Sequence, residues 1–182
     1  MGRCGGRDVV AVVGCSGAGK TSLIVALLPA LRARGLRVGA VKHASHGFQA
    51  DRPGKDSHRL YEAGADAVVL ASARQLAVFR RCEHAGDPPL ADALAALPPD
   101  LDLVLVEGFS WEPVPRLVVV QEGGRTRPRR DPGEVLARVT MPVPGPDGPP
   151  RLPSGRLAEL VARLEARVRP VERLRALPGG LA

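Results

Sequence analysis

Val9-Val10-Ala11-Val12-Val13-Gly14-Cys15-Ser16-Gly17-Ala18-Gly19-Lys20-Thr21-Ser22 is an apolar run leading into a complete G-x-x-x-x-G-K-[ST] loop. An amphipathic stretch follows as far as Arg34. That context of strand, loop and helix is the one a phosphate-binding loop requires. Glycines leave room for successive backbone N–H groups to turn inward around phosphate oxygens. The helix behind them adds its positive N-terminal end. The reading places Gly14, Cys15, Ser16, Gly17, Ala18, Gly19, Lys20, Thr21 and Ser22 around a nucleoside triphosphate. Lys20 is expected at the β/γ-phosphates and Thr21 at a Mg²⁺ ion.

Outward from the loop, Leu23, Leu27 and Leu31 recur four apart, which predicts a helix over Lys20–Arg34 stopped by Gly35. Residues 37–42 read as a strand, 43–54 as a loop, and 56–63 as a short helix closed by Gly64. Two strands, 67–72 and 76–81, flank a turn, and 91–97 is a brief helix before Pro98-Pro99. Further strands are expected at 101–106, 116–121 and 135–141, with an Arg-rich turn over 123–132. Six prolines in 142–153 predict an extended linker, and Ser154 is the expected N-cap of a last helix to about Arg169. Residues 170–182 read as a flexible tail. Strands alternating with helices after a phosphate loop predict an α/β three-layer domain over 1–169 with a mostly parallel central sheet.

The 182 residues suit one domain, and no apolar run approaches the ~18 residues of a membrane-spanning helix. Cys4, Cys15 and Cys82 are odd in number and far apart, which suggests neither a disulfide framework nor a zinc site, and a reducing cytoplasm is expected. The net charge of +7 is uneven: residues 1–122 hold 14 Lys/Arg against 13 Asp/Glu, and 123–182 hold 12 Arg against 6 acids. With aromatics at 3% and no nucleic-acid module, that basicity argues weakly for nucleic acid. Only three lysines stand among the 26 basic residues, Lys20, Lys42 and Lys55. A compact ammonium suits a phosphate pocket, so their placement points to residues 42–58 as a second part of the site.

Asp102-Leu103-Val104-Leu105-Val106-Glu107-Gly108 is an apolar strand with a carboxylate at its C-terminal end. Ligands of open α/β sheets gather at that end, so Glu107 is expected to face the phosphates and hold Mg²⁺, with Asp102 far away. The strand over 37–42 delivers Lys42 and His43 to the same edge. Asp51 is a candidate second Mg²⁺ ligand, with Asp56 competing for the role. His43 and His46, three apart, also admit a transition-metal reading. No Asn-Lys-x-Asp run declares guanine specificity.

Several strings in order resemble one family. They are the phosphate loop, Lys42-His43-x-x-His46-x-Phe48, Asp51-x-Pro53-Gly54-Lys55-Asp56-Ser57, Glu62-Ala63-Gly64-Ala65 and Leu103-Val104-Leu105-Val106-Glu107-Gly108-Phe109. Pro115-Arg116 before a strand is a further match. The family is the molybdopterin-guanine dinucleotide biosynthesis adaptor protein B (MobB) family, and the resemblance runs from about Val9 to Val120. It implies a GTP- and Mg²⁺-binding P-loop protein with slow GTPase activity, of the class that includes dethiobiotin synthetase and the nitrogenase iron protein. It further implies a homodimer beside the guanylyltransferase that joins GMP to molybdopterin. Carried onto this chain, Gly17–Ser22 hold the phosphates; Thr21 and Glu107, with Asp51, hold Mg²⁺. Lys20, Lys42 and Glu107 take any catalytic part, with Lys42 and His43 at the γ-phosphate or an incoming pterin phosphate. Where the family often carries paired histidines, Ser45 precedes His46 and Gly47 follows it here. Two other functions remain open from the residues: an ATP-dependent phosphotransferase or ligase of the dethiobiotin-synthetase type, and a GTP-dependent metallochaperone using His43, His46, His58, Cys82 or His84.

Overall fold

In the computed structural model the described residues are 3–4, 7–49, 51–82, 86–124, 132–145 and 148–168. The expected tail, His84 and most of the Arg-rich turn lie outside them. The chain forms two compact units, one from Met1–His43 with Leu90–Ala182, the other from Ala44–Pro89.

The first unit is built on a sheet of six strands: β1 (Arg3–Cys4), β2 (Arg7–Val13), β3 (Val38–Lys42), β6 (Leu103–Glu107), β7 (Arg116–Gln121) and β8 (Val135–Met141). Five run parallel in the order β3-β6-β2-β7-β8, and the short β1 pairs antiparallel with the start of β2. This is the α/β three-layer fold with a mostly parallel sheet. Parallel strands buried on both faces read as near-continuous apolar runs, and both β2 and the first four residues of β6 are buried throughout.

Side-chain alternation sorts the two faces. Val10 and Val12 of β2, Leu103 and Leu105 of β6, and Leu117 and Val119 of β7 pack with α1 (Lys20–Ala33) and α4 (Ser154–Val168). Val9, Val104 and Val106 pack on the other face with α3 (Leu90–Ala95) and Phe109. From α1 come Leu23, Ile24, Leu27 and Leu31, and from α4 come Leu160, Val161, Leu164 and Val168, each set at helical spacing.

β2 begins two residues earlier than its apolar run. Arg7 and Asp8 are polar but buried, because each has a partner supplied from elsewhere in the fold. The Arg7 guanidinium donates to the carbonyls of Leu94 (2.6 Å), Pro98 (2.8 Å) and Leu97 (3.4 Å), satisfying the C-terminal end of α3. Asp8 lies 3.6 Å from the Arg167 guanidinium on α4. β6 likewise starts at Leu103 and includes Glu107, a shift of register from the expected 101–106.

The second unit holds α2 (Asp56–Glu62) and the antiparallel hairpin of β4 (Ala67–Ala71) and β5 (Leu76–Arg80). Arg81 ties the two together, with its guanidinium 4.3 Å from the Tyr61 ring and Nε donating to the Ala65 carbonyl at 3.1 Å. Among the described residues no helix is long and apolar enough to cross a membrane.

Candidate functional site

The site forms where β2, β6 and β3 end together. The parallel register sets Val12, Glu107 and Lys42 side by side in one row across the three strands. Glu107 shares the parity of Leu103 and Leu105 and therefore points to the face that α1 covers. Lys42 shares the parity of Val38, which also packs on that face. The loop after β2 leads straight into α1, so Thr21 arrives on the same side.

Three side chains meet there. Thr21 Oγ1 donates to Glu107 Oε2 at 2.8 Å, and Lys42 Nζ donates to Glu107 Oε1 at 3.0 Å. Glu107 retains 12% of its side-chain exposure, whereas Lys42 keeps 62%. The carboxylate is thus fixed between a hydroxyl and an ammonium, and the ammonium reaches solvent.

The loop itself is shaped for an anion. Gly14, Cys15, Ser16 and Gly17 are exposed, while Ala18 turns inward to the core. Lys20 folds over the loop, Nζ donating to the Cys15 carbonyl at 2.7 Å. Gly19 is the N-cap of α1 and supplies no side-chain cap, and the first turn carries no carboxylate. The amides of that turn are therefore left for an incoming acceptor, with nothing acidic to repel it. Gly14 is required by close approach: a Cβ there would strike the Val119 carbonyl oxygen of β7.

Thr21 and Glu107 also fit Mg²⁺. Neighbouring ligands in an octahedral shell of 2.0–2.1 Å bonds lie about 2.9 Å apart, close to the 2.8 Å between these two oxygens. Oxygen donors of this hardness suit that ion.

Other expected site residues take different places. The His43 backbone N–H donates to the Glu107 carbonyl at 2.9 Å, which extends the β3–β6 ladder by one residue. Its ring packs 5.1 Å from Phe109 and 5.0 Å from Trp111. Phe109 belongs to the cluster on the α3 face, opposite Lys42. Asp51 lies in the second unit, where its Oδ1 accepts the Arg52 N–H at 2.8 Å. Asp102 sits at the N-terminal end of β6 and accepts the Arg37 backbone N–H at 2.7 Å. Among the described residues no three His, Cys, Asp or Glu side chains gather as a metal site. Trp111 belongs to none of the sequence motifs, and the buried Arg116 only to the Pro115-Arg116 match. The signals present were that Trp111 is the chain's only tryptophan and that Arg116 is an arginine opening an otherwise apolar strand.

Known proteins resemble this chain in sequence and fold. The family model described as "Molybdopterin guanine dinucleotide synthesis protein B" matches residues 9–141. The molybdopterin-guanine dinucleotide biosynthesis adapter protein of Escherichia coli K12 is 38% identical over 121 residues, 66% of this chain and 69% of that protein. The protein of the same name from Haemophilus influenzae is 37% identical over 138 residues, 75% of each chain. A crystal structure of molybdopterin-guanine biosynthesis protein B superposes with TM-score 0.65 at 32% identity, covering 88% of this chain and 99% of that one. The Bacillus stearothermophilus homologue gives 0.58 at 29%, covering 88% and 97%. The match spans the phosphate loop, β6 with Glu107, and every strand of the parallel sheet from Val9 onward. The chain belongs to the molybdopterin guanine dinucleotide synthesis protein B family.

Proposed function

We propose that the chain is a GTP-binding adaptor in molybdopterin guanine dinucleotide synthesis, working in the cytoplasm as a homodimer beside the guanylyltransferase. The observation that carries this reading is the meeting of Thr21, Glu107 and Lys42 at the mouth of the phosphate loop. Lys20 and the first-turn amides of α1 bind the β- and γ-phosphates. Thr21 Oγ1 and Glu107 Oε2 would hold Mg²⁺, which when bound would neutralise phosphate charge. Lys42, exposed and already beside Glu107, supplies a cation at the γ-phosphate end. Asp51 is a further candidate Mg²⁺ ligand on the strength of the family resemblance alone, with Asp56 competing for the role.

The same geometry supports slow hydrolysis. Both Glu107 oxygens accept hydrogen bonds, one from Thr21 and one from Lys42. With both oxygens already committed, the carboxylate is positioned to hold a metal rather than to orient a water as base. That suits a protein that holds and presents nucleotide rather than consuming it quickly.

The homodimer finds support in the second unit. Val69, Leu76 and Val78 stand 58%, 68% and 56% exposed on one face of the β4–β5 hairpin, with Val69 paired to Val78. A contiguous apolar face of this kind marks a contact surface.

Calorimetric titration with GTP and, separately, ATP, each with Mg²⁺, tests the reading. A clear preference for GTP supports it. A preference for ATP overturns it in favour of a phosphotransferase, whose turnover with an acceptor would fall within about 1–100 s⁻¹.

A further inference from the structure

Glu107 is the last residue of β6, and the backbone twists directly after it. Gly108 has φ 92° and Phe109 φ 48°, two successive residues in the left-handed region. Glycine adopts that conformation freely, but a phenylalanine in it is strained. The twist decides where a large ring goes. Alternation along β6 puts Leu103, Leu105 and Glu107 on the α1 face, and continued for two more residues it would put Phe109 there as well. Phe109 lies instead in the cluster on the α3 face, at 2% exposure. A regular strand would carry its ring about 7 Å beyond Glu107, to the mouth of the phosphate loop. The two left-handed residues therefore take the ring away from the carboxylate and leave that face to Thr21.

A strained turn persists only where its surroundings over-determine it. The Gly108 N–H donates to the Val12 carbonyl at 3.4 Å, and the Glu112 N–H closes the turn on the Phe109 carbonyl at 3.1 Å. A further hold comes from Arg116, the first residue of β7, which is 1% exposed. Its Nη1 donates to the Ser110 carbonyl at 3.1 Å, and its Nη2 donates to the Glu112 carbonyl. Arg116 is opposite in parity to Leu117 and so stands on the α3 side, the side to which Phe109 has been turned. A guanidinium is costly to take out of water, and an apolar side chain would fill that place without the cost. It could not offer two donors in a fixed fork to two carbonyls of one turn.

We infer that Arg116 is a positioning residue for metal binding at Glu107: it holds the Gly108–Phe109 twist, and the twist keeps the Phe109 ring out of the space that Mg²⁺ and its waters need. This role rests on the phosphate-loop reading, which puts the metal at Thr21 and Glu107. Arg116 touches neither metal nor nucleotide and acts through the turn. A side chain that served stability alone would leave the metal requirement where it was. The two roles separate because the ring itself is the obstacle. With the clamp gone, removing the ring as well restores metal binding even though it costs further stability.

The test is calorimetric titration of the full chain with GTP at a series of Mg²⁺ concentrations and in EDTA. Arg116→Met keeps the stem and removes both donors. It should need about 10-fold more Mg²⁺ for the half-maximal effect on GTP affinity, with the affinity in EDTA within about 2-fold of wild type. Arg116→Lys, one ammonium for two carbonyls, should need about 5-fold more. Phe109→Gly removes the ring and tolerates the left-handed backbone, so adding it to Arg116→Met should return the Mg²⁺ requirement to within about 2-fold of wild type, while the melting temperature falls further. Trp111, the chain's only tryptophan, lies inside the clamped turn, and its emission should move to the red in nucleotide-free Arg116→Met. Should Arg116→Met fail to fold, Arg116→Lys with and without Phe109→Gly gives the same comparison. An unchanged Mg²⁺ requirement, an equal loss of affinity with and without Mg²⁺, unmoved emission, or no recovery on removing the ring would each overturn the proposal. A wild type that binds no GTP, or binds it without regard to Mg²⁺, overturns the reading of the site and this role with it, so the two failures are told apart.

Discussion

Glu107 is the residue on which the proposed nucleotide chemistry turns, because its two oxygens divide between a hydroxyl and an ammonium. Replacing it by Gln keeps the shape and removes the charge. Glu107→Gln should therefore bind GTP within about 3-fold of wild type while losing most of the Mg²⁺ dependence of hydrolysis, measured as phosphate release against Mg²⁺ concentration. An unaltered metal dependence would transfer the carboxylate role to Asp51 or Asp56. Lys20→Ala removes the proposed charge-assisted contact to phosphate and should weaken GTP about 10-fold or more by calorimetry, with the melting temperature unchanged. Gly14→Ala acts differently. Its methyl group would strike the Val119 carbonyl oxygen, so it should destabilise the fold by about 1–3 kcal/mol in denaturant titration. The positions of Lys20, Thr21 and Glu107 at one sheet edge are legible in the sequence because the G-x-x-x-x-G-K-[ST] spacing and an apolar strand ending in a carboxylate each fix where the chain turns. His43 is less so: its place in sequence puts it at the correct edge, but strand alternation turns its ring to the α3 face, where it packs against Phe109 and Trp111.

At the scale of elements, α4 shows how a segment reached through a proline-rich linker becomes part of the core. Leu160 and Leu164 are fully buried against the sheet face that α1 also covers. Leu160→Ala should cost about 2–5 kcal/mol in chemical denaturation, whereas a loosely tethered helix would show almost none. The opposite ends of β3 and β6 are joined by Arg37, whose backbone N–H bonds Asp102 and whose guanidinium pairs with Asp100. The Arg37 hydrogen bond holds the Asp100 carboxyl below its usual range. The folded protein then binds that proton less readily than the unfolded chain. The contribution is present at neutral pH and disappears as pH falls through the lowered value. Because both groups are exposed it is small. Asp100→Asn should melt slightly below wild type at pH 7, with the difference vanishing in acid. Apolar runs and helical spacing make β2, α1, β6 and α4 readable from sequence. The first two residues of β2 are not, since Arg7 and Asp8 look like surface until α3 and Arg167 supply their partners.

For the whole molecule, the two units differ in how completely they bury their apolar residues. The parallel sheet is covered on both faces, but the β4–β5 hairpin leaves Val69, Leu76 and Val78 exposed. Sedimentation equilibrium should return the mass of two chains, and Val78→Asp should shift it toward one; a monomeric wild type would remove the dimer from the functional reading. By itself the sequence determined the phosphate loop and the α/β order, because each rests on contacts within one strand–loop–helix segment or on a period along the chain, and the family, because that rests on short strings in a fixed order. The tertiary structure alone decided that β6 lies between β2 and β3, which brings Glu107 to Thr21 and Lys42 across 86 and 65 positions of sequence. It also decided that Arg116 reaches back to hold Trp111 in place. Strand order and the partners of buried charges depend on which surfaces meet, and no local pattern of residues records that.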